Sequence, residues 1–358
     1  MLTLPRAPGP YSTIMQVGAG SGPPPEGSTV VVLTTEESLD GAGLPAGQAA
    51  EFAAKSGALA IAYDVSAGVA AGASRVIAAG LGPAAEVTSA SLRSAVAAAV
   101  GALKSAEVTE AYAVLPADTG LDAARVAADA TVAAVLADYS FDIYITDEER
   151  LFHLSMLTLL SDADIDDAVA GAFAVAQGQC TARDLANTRA GVATPEYMEA
   201  RAADLCADFP SLSLSTVDVD EMMEKGMGLI YGVGKAAPSQ PRIVFMEYRG
   251  DPSTEKAAAL VGKGLCFDTG GLNLKGSGNI ETMYTDKHGA CTVLGCMQAI
   301  ATLGLKTNVV GVMALADNAI DGESQHPHDI VTSMKGLTVH IDNTCASRPP
   351  TRSLKPVD

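Results

Sequence analysis

Positive charge is what this chain has least of. Lys and Arg number 23 against 42 Asp and Glu in 358 residues, a net charge of −19. Neutralising a phosphate backbone takes clustered cations, so nucleic-acid binding is disfavoured. Charged residues of either sign are only 18%, below the usual ~25%. Long apolar runs are missing too. The alanine-rich stretches are broken by charges every few residues, so no membrane span is expected. The six cysteines (180, 206, 266, 291, 296 and 345) contain no C-x-x-C pair. Neither a zinc finger nor a disulfide framework is indicated, and a reducing compartment, the cytoplasm, is the default. A phosphate loop is absent as well. Gly262-Lys263-Gly264 lacks a following Ser or Thr, and Ala236 follows Gly234-Lys235 where a hydroxyl would be needed.

What is present is enough apolar material, 48% of residues, for a real core. At ~150 residues per domain the length suggests two domains. Residues 1–28 read as a leader or disordered segment, with one Arg and no acid before Glu26. Their composition permits organelle targeting but falls short of a transit peptide's arginine density. Val17–Gly22 reads as a loop, because three prolines follow it and cannot open a helix with free N–H groups.

From residue 29 onward strands and helices alternate. Strands are expected at 29–35, 74–80 and 111–116, and helices at 47–60, 88–107 and 121–139. That alternation predicts an α/β domain with a mixed sheet over 29–150. A linker helix is expected over 151–181, overlapping a long acidic-to-apolar helix read over 160–187. A second α/β domain follows over 182–358. In it, Thr194-Pro195-Glu196 is a strong helix start, strands are expected at 241–250, 256–268, 305–318 and 337–343, and a helix begins near Gly289.

Chemistry concentrates between Lys263 and Asp286. Lys263, Asp268 and Lys275 lie in a glycine-rich stretch at steps of five and seven, and Asp286 follows Asp268 by eighteen. Two carboxylates beside exposed glycine backbone suit a divalent metal. A lysine can join as the neutral amine when metal charge lowers its pKa. The same spacing equally suits a Lys263–Asp268 salt bridge in a glycine turn. The remaining signals are weaker. His326 and His328 read as surface polarity in a loop, His153 as a core or interface residue, and Cys266, Cys291 and Cys296 as packing residues.

The run V-G-K-G-x-x-F-D-T-G-G-L-x-L-K, followed by M-x-x-x-x-D-x-x-G-A, resembles the leucine aminopeptidase (cytosol aminopeptidase) family. The resemblance extends over 182–344 and includes 182–198, 227–248 and 308–344. It implies an α/β dinuclear metallopeptidase domain releasing N-terminal residues, leucine-like ones preferred, from a peptide substrate. It also implies two zinc or manganese ions and a homo-oligomer, hexameric in the family. By match, Lys263, Asp268 and Asp286 would be metal ligands, and Lys275 would polarise the scissile carbonyl. The family continues N-T-D-A-E-G-R where this chain reads Asn343-Thr344-Cys345-Ala346-Ser347-Arg348-Pro349. Cys345 thus stands at an Asp ligand position, Ser347 at a bridging Glu and Pro349 at an Arg. A thiolate can ligate zinc, but Ser347 cannot replace a bridging carboxylate. The domain is therefore expected to be incomplete at its C-terminus, the mark of a frameshift or fragment, and to hold one metal ion at most. The alternative is a catalytically silent subunit. Lys287 is expected to add positive charge near the metals.

Overall fold

The computed structural model describes residues 14–147 and 151–345. The chain forms two compact units that divide between Cys180 and Thr181, inside one helix, α4 (Asp166–Asn187).

The first unit is built on a six-stranded sheet. Its strands are β1 (Gln16–Gly20), β2 (Thr29–Thr34), β3 (Leu59–Tyr63), β4 (Arg75–Gly80), β5 (Glu110–Val114) and β6 (Met156–Leu160), in the order β1-β6-β5-β2-β4-β3. All neighbours are parallel except β3, which runs antiparallel to β4. The sheet is therefore mixed. Central β2 explains its own sequence, TVVVLT. Val31 and Leu33 pack into the cluster under helices α2 (Ser89–Ser105) and α3 (Ala123–Asp138), while Val30 and Val32 pack into a separate cluster. A parallel strand buried on both faces reads as a continuous apolar run. The two helices start where their caps are: Thr88 and Ser91 form a reciprocal capping box, and Asp122 accepts from the Arg125 N–H at 2.8 Å. Asp129 on α3, only 2% exposed, pairs with Arg93 of α2 at 2.5 Å and with Arg125 at 2.8 Å.

Several expectations are corrected here. The loop expected at Val17–Gly22, inside the expected leader, is strand as far as Gly20, because it overlaps β1, which runs parallel to β6. Residues 1–13 lie outside the described residues. The helix expected over 47–60 is α1, Ala46–Phe52. It stops where Ala53 and Ala54 take φ of 49° and 47°, and Leu59 and Ala60 belong to β3. Alanine's helix propensity is weak against pairing to β4. The first unit also continues past residue 150, because β6 inserts between β1 and β5. A five-residue apolar run, MLTLL, carries no period that separates a buried strand from a helix.

The second unit has a four-stranded sheet of β7 (Leu212–Val217), β8 (Arg242–Arg249), β9 (Ala258–Asp268) and β10 (Asn308–Asn318), in the order β7-β8-β10-β9. β9 and β10 are parallel and joined through helix α8 (His288–Leu303); the other pairs are antiparallel. Helix α5 (Pro195–Asp208) is capped by Thr194, as its sequence predicts. Short helices α6 (Val219–Glu224) and α7 (Gly228–Gly234) and a hairpin of β11 (Ile330–Thr332) and β12 (Thr338–His340) complete it. The alternating edge strand β7 went unrecognised in the sequence. Strand β9 is also an edge, and its Val261 is 72% exposed.

Candidate active site

Close backbone packing sets the site. A Cβ on Gly262 would lie 2.4 Å from the Gly289 carbonyl oxygen, and one on Gly289 would lie 2.7 Å from the Lys263 nitrogen. Glycine at both positions lets β9 touch the start of α8. That contact brings Lys263 to Asp286: Nζ donates to both carboxylate oxygens at 2.7 Å. The alternative sequence reading, a Lys263–Asp268 salt bridge, is thereby corrected. Lys263 takes its partner from across the turn, not from its own strand.

Asp268 ends β9 and is fully buried. Its Oδ1 accepts from the Gly270 N–H at 2.9 Å and from Asn318 Nδ2 at 2.7 Å. Its Oδ2 has no aligned hydrogen-bond donor, and Lys275 Nζ stands 3.1 Å from it as an ion pair. Lys275, 6% exposed, also donates to Cys345 Sγ at 2.7 Å. Burial opposes the Lys275 charge, but Cys345 and Asp268 outweigh it and hold the ammonium above the ordinary lysine value.

The loop between these groups is stitched to a distant segment. Gly270 and Gly271 take φ of 91° and 60°, the left-handed turn that glycine permits. Thr344 Oγ1 donates to the Gly270 carbonyl at 2.8 Å and accepts from the Asn273 N–H at 3.0 Å. Asn318 Nδ2 also donates to the Thr344 carbonyl at 3.0 Å. Asn318, Asn273 and Thr344 escaped the sequence reading because each acts through strand register and loop closure. Asp317 escaped it too. Burial and the Asp268 charge push its carboxyl up to about 6.

Lys287 does not add charge toward the carboxylates, contrary to expectation. It is fully buried and donates to the carbonyls of Ala186 at 3.4 Å, Thr188 at 2.9 Å and Tyr284. It thereby satisfies carbonyls at the end of α4, where a cation is favoured. Burial still pulls its pKa below the ordinary lysine value. His153, read as a core or interface residue, is only 15% exposed and meets Asp142 at 2.6 Å.

The donor set decides what the site can hold. Among the described residues no three His, Cys, Asp or Glu side chains form a metal-holding group. The donors on hand are the Lys263 amine and two carboxylates, Asp286 and Asp268 with its buried, undonated Oδ2, and these are donor types that suit a divalent ion. Two ions held close together would need more anionic ligands than these two carboxylates to offset their repulsion. Ser347 lies outside the described residues.

Two family models match the sequence: the cytosol aminopeptidase family catalytic domain over residues 180–347 and its N-terminal domain over 26–148. The chain belongs to the cytosol aminopeptidase family. It is 36% identical over 213 residues to a probable cytosol aminopeptidase of Pseudomonas fluorescens (strain Pf0-1), covering 58% of this chain and 43% of that protein. A probable cytosol aminopeptidase of Geobacter sp. (strain M21) is 35% identical over 227 residues, covering 62% and 46%. The chain thus spans under half the length of these relatives. Among solved structures, the bottromycin maturation enzyme BotP in complex with Mn is similar at TM-score 0.78 and 30% identity, over 89% of this chain and 66% of that one. A tomato leucine aminopeptidase mutant shares the fold at TM-score 0.77 and 23% identity, over 93% and 70%. No helix among the described residues is long and apolar enough to cross a membrane.

Proposed function

We propose that this family member is a metal-dependent aminopeptidase that releases N-terminal residues, leucine-like ones preferred, from peptides. Its working form would be a cytoplasmic homo-oligomer, hexameric as the family resemblance implies. The observation that carries the reading is that both lysine–aspartate pairs are anchored on β9, Lys263 with Asp286 within the strand and Lys275 with Asp268 at its end.

Lys263, Asp268 and Asp286 are the residues that would hold a divalent ion, zinc or manganese. Such an ion, when bound, would acidify a water and anchor the substrate's free α-amine. The remaining roles belong to the chain. Asn318 and the Gly270 N–H orient the Asp268 carboxylate through Oδ1, leaving Oδ2 turned to positive charge. Lys275 supplies a fixed ammonium in a nearly dry pocket, where it can stabilise charge developing on a carbonyl oxygen. The Thr344 brace holds the turn that carries Lys275.

The second reading is a catalytically silent subunit. It is favoured by Cys345 Sγ, which occupies the Lys275 ammonium at 2.7 Å. Hydrolysis of a leucyl amide by purified protein with excess manganese or zinc separates the two. With one ion's worth of ligands, turnover is expected far below ~10 per second, the median enzyme rate, and lost in Lys275→Ala. No manganese-dependent turnover at all would favour the silent subunit.

A further inference from the structure

His328 and His340 face each other at the base of the β11–β12 hairpin. His328 Nδ1 lies 2.9 Å from His340 Nε2, with ring centroids 4.9 Å apart and planes tilted by 35°. The pairing of Ile330 with His340 sets this approach, and two further bonds extend it: the His328 N–H to the Ile341 carbonyl at 2.7 Å, and the Ile341 N–H to the Asp329 carbonyl at 2.9 Å. His328 has φ of 72°, a region that costs a non-glycine residue strain. A strained backbone therefore holds one imidazole against the other on an exposed surface.

We propose that this pair is a second metal site, a two-imidazole clip for a divalent transition ion, apart from the Lys263–Asp286 region. Two nitrogens bound at ~2.05 Å stand about 2.9 Å apart at a right angle and about 3.4 Å apart in a tetrahedron. The observed 2.9 Å is the rings' hydrogen-bond distance and equals the right-angle spacing, so an ion replacing the shared proton requires the rings to turn but not to separate. That geometry belongs to Cu2+ or Ni2+, and the order of divalent affinities also places Cu2+ above Ni2+ and Zn2+. Without an ion, one proton shared between the rings satisfies the pair. His326 and Asp329 stand beside it but are engaged with each other, the His326 N–H donating to Asp329 Oδ2 at 2.8 Å.

The clip sits three residues before Asn343 on the segment that leads to Thr344, so an ion there would stiffen the strand from which the Gly270 turn is braced. The test uses the full chain and Cu2+ alone, read by electron paramagnetic resonance and by bound-copper stoichiometry. The wild type should bind one more Cu2+ than His340→Ala or His328→Gly, with hyperfine structure from two imidazole nitrogens. His328→Gly removes the ring while relaxing the φ of 72°, so loss of copper there is not a folding defect. Each variant should lose that ion by at least tenfold in affinity. Either variant retaining it, or a wild-type spectrum without the two-nitrogen pattern, would overturn the proposal.

Discussion

Strands β2 and β9 are two opposite solutions to holding a strand in place. β2 sits between β5 and β4 with Val30 through Leu33 all buried, so dispersion and apolar burial fix it on both faces. β9 lies at an edge with Val261 in solvent, and it is fixed at its far end by polar bonds to Asp268. The strand that carries the candidate site residues is therefore held by polar bonds and glycine contacts as well as by its ladder with β10 and the buried Leu265 and Cys266. The difference teaches that apolar burial and buried polar pairing can each hold a strand in this chain, and it can be broken or sharpened at both strands.

The largest effect is expected at the buried end of β9. Asp268→Ala leaves the Lys275 ammonium without its carboxylate in a site 6% exposed. It should cost about 3–5 kcal/mol in urea unfolding, the usual loss when one partner of a buried pair is removed. A cost under about 1 kcal/mol would show that solvent or Cys345 compensates. Next comes β2. Leu33→Ala, at 3% exposure, should cost about 3 kcal/mol by the same measurement.

Asp317 should shift stability with pH in metal-free buffer. Its carboxyl is raised to about 6, above the ordinary value of 3.8, so the folded state binds the proton more tightly than the unfolded chain. The penalty for its charge is present in full above pH 6 and fades as pH falls toward 4. Asp317→Asn should thus stabilise at pH 7.5 by about 1 kcal/mol, after discounting for its partial exposure, and should lose that advantage at pH 4. The same gain at both pH values would assign the effect to packing. The smallest change in folding is expected at Val261→Lys, within about 0.5 kcal/mol, because the side chain is already in solvent. Its readout is self-association, which should fall, since a charge on an open strand edge opposes edge-to-edge pairing. Unchanged association by light scattering would mean that β9 is not the sticky edge.

The first domain's helices were legible from local signals. Thr88 and Asp122 mark the starts of α2 and α3 because a cap is a bond between residues three apart. Its strands were legible only where a bounded apolar run stood alone, as in β2 and β4. β3 and β6 were absorbed into neighbouring helices, because alanine-rich and five-residue apolar segments take their state from the partner strand.

At the candidate site, the sequence by itself singled out the residues proposed, since the glycine, lysine and aspartate pattern around Lys263, Asp268, Lys275 and Asp286 is local and specific. Only the tertiary structure decided who pairs with whom. Lys263 bonds Asp286 across 23 positions, Lys275 meets Cys345 across 70, and Thr344 closes on Gly270 across 74. Spacing along a chain constrains neighbours a few residues apart. Contacts at these separations depend on strand register and on how closely two backbones approach. Here Gly262 against Gly289 and the parallel match of Asn318 to Asp268 set both.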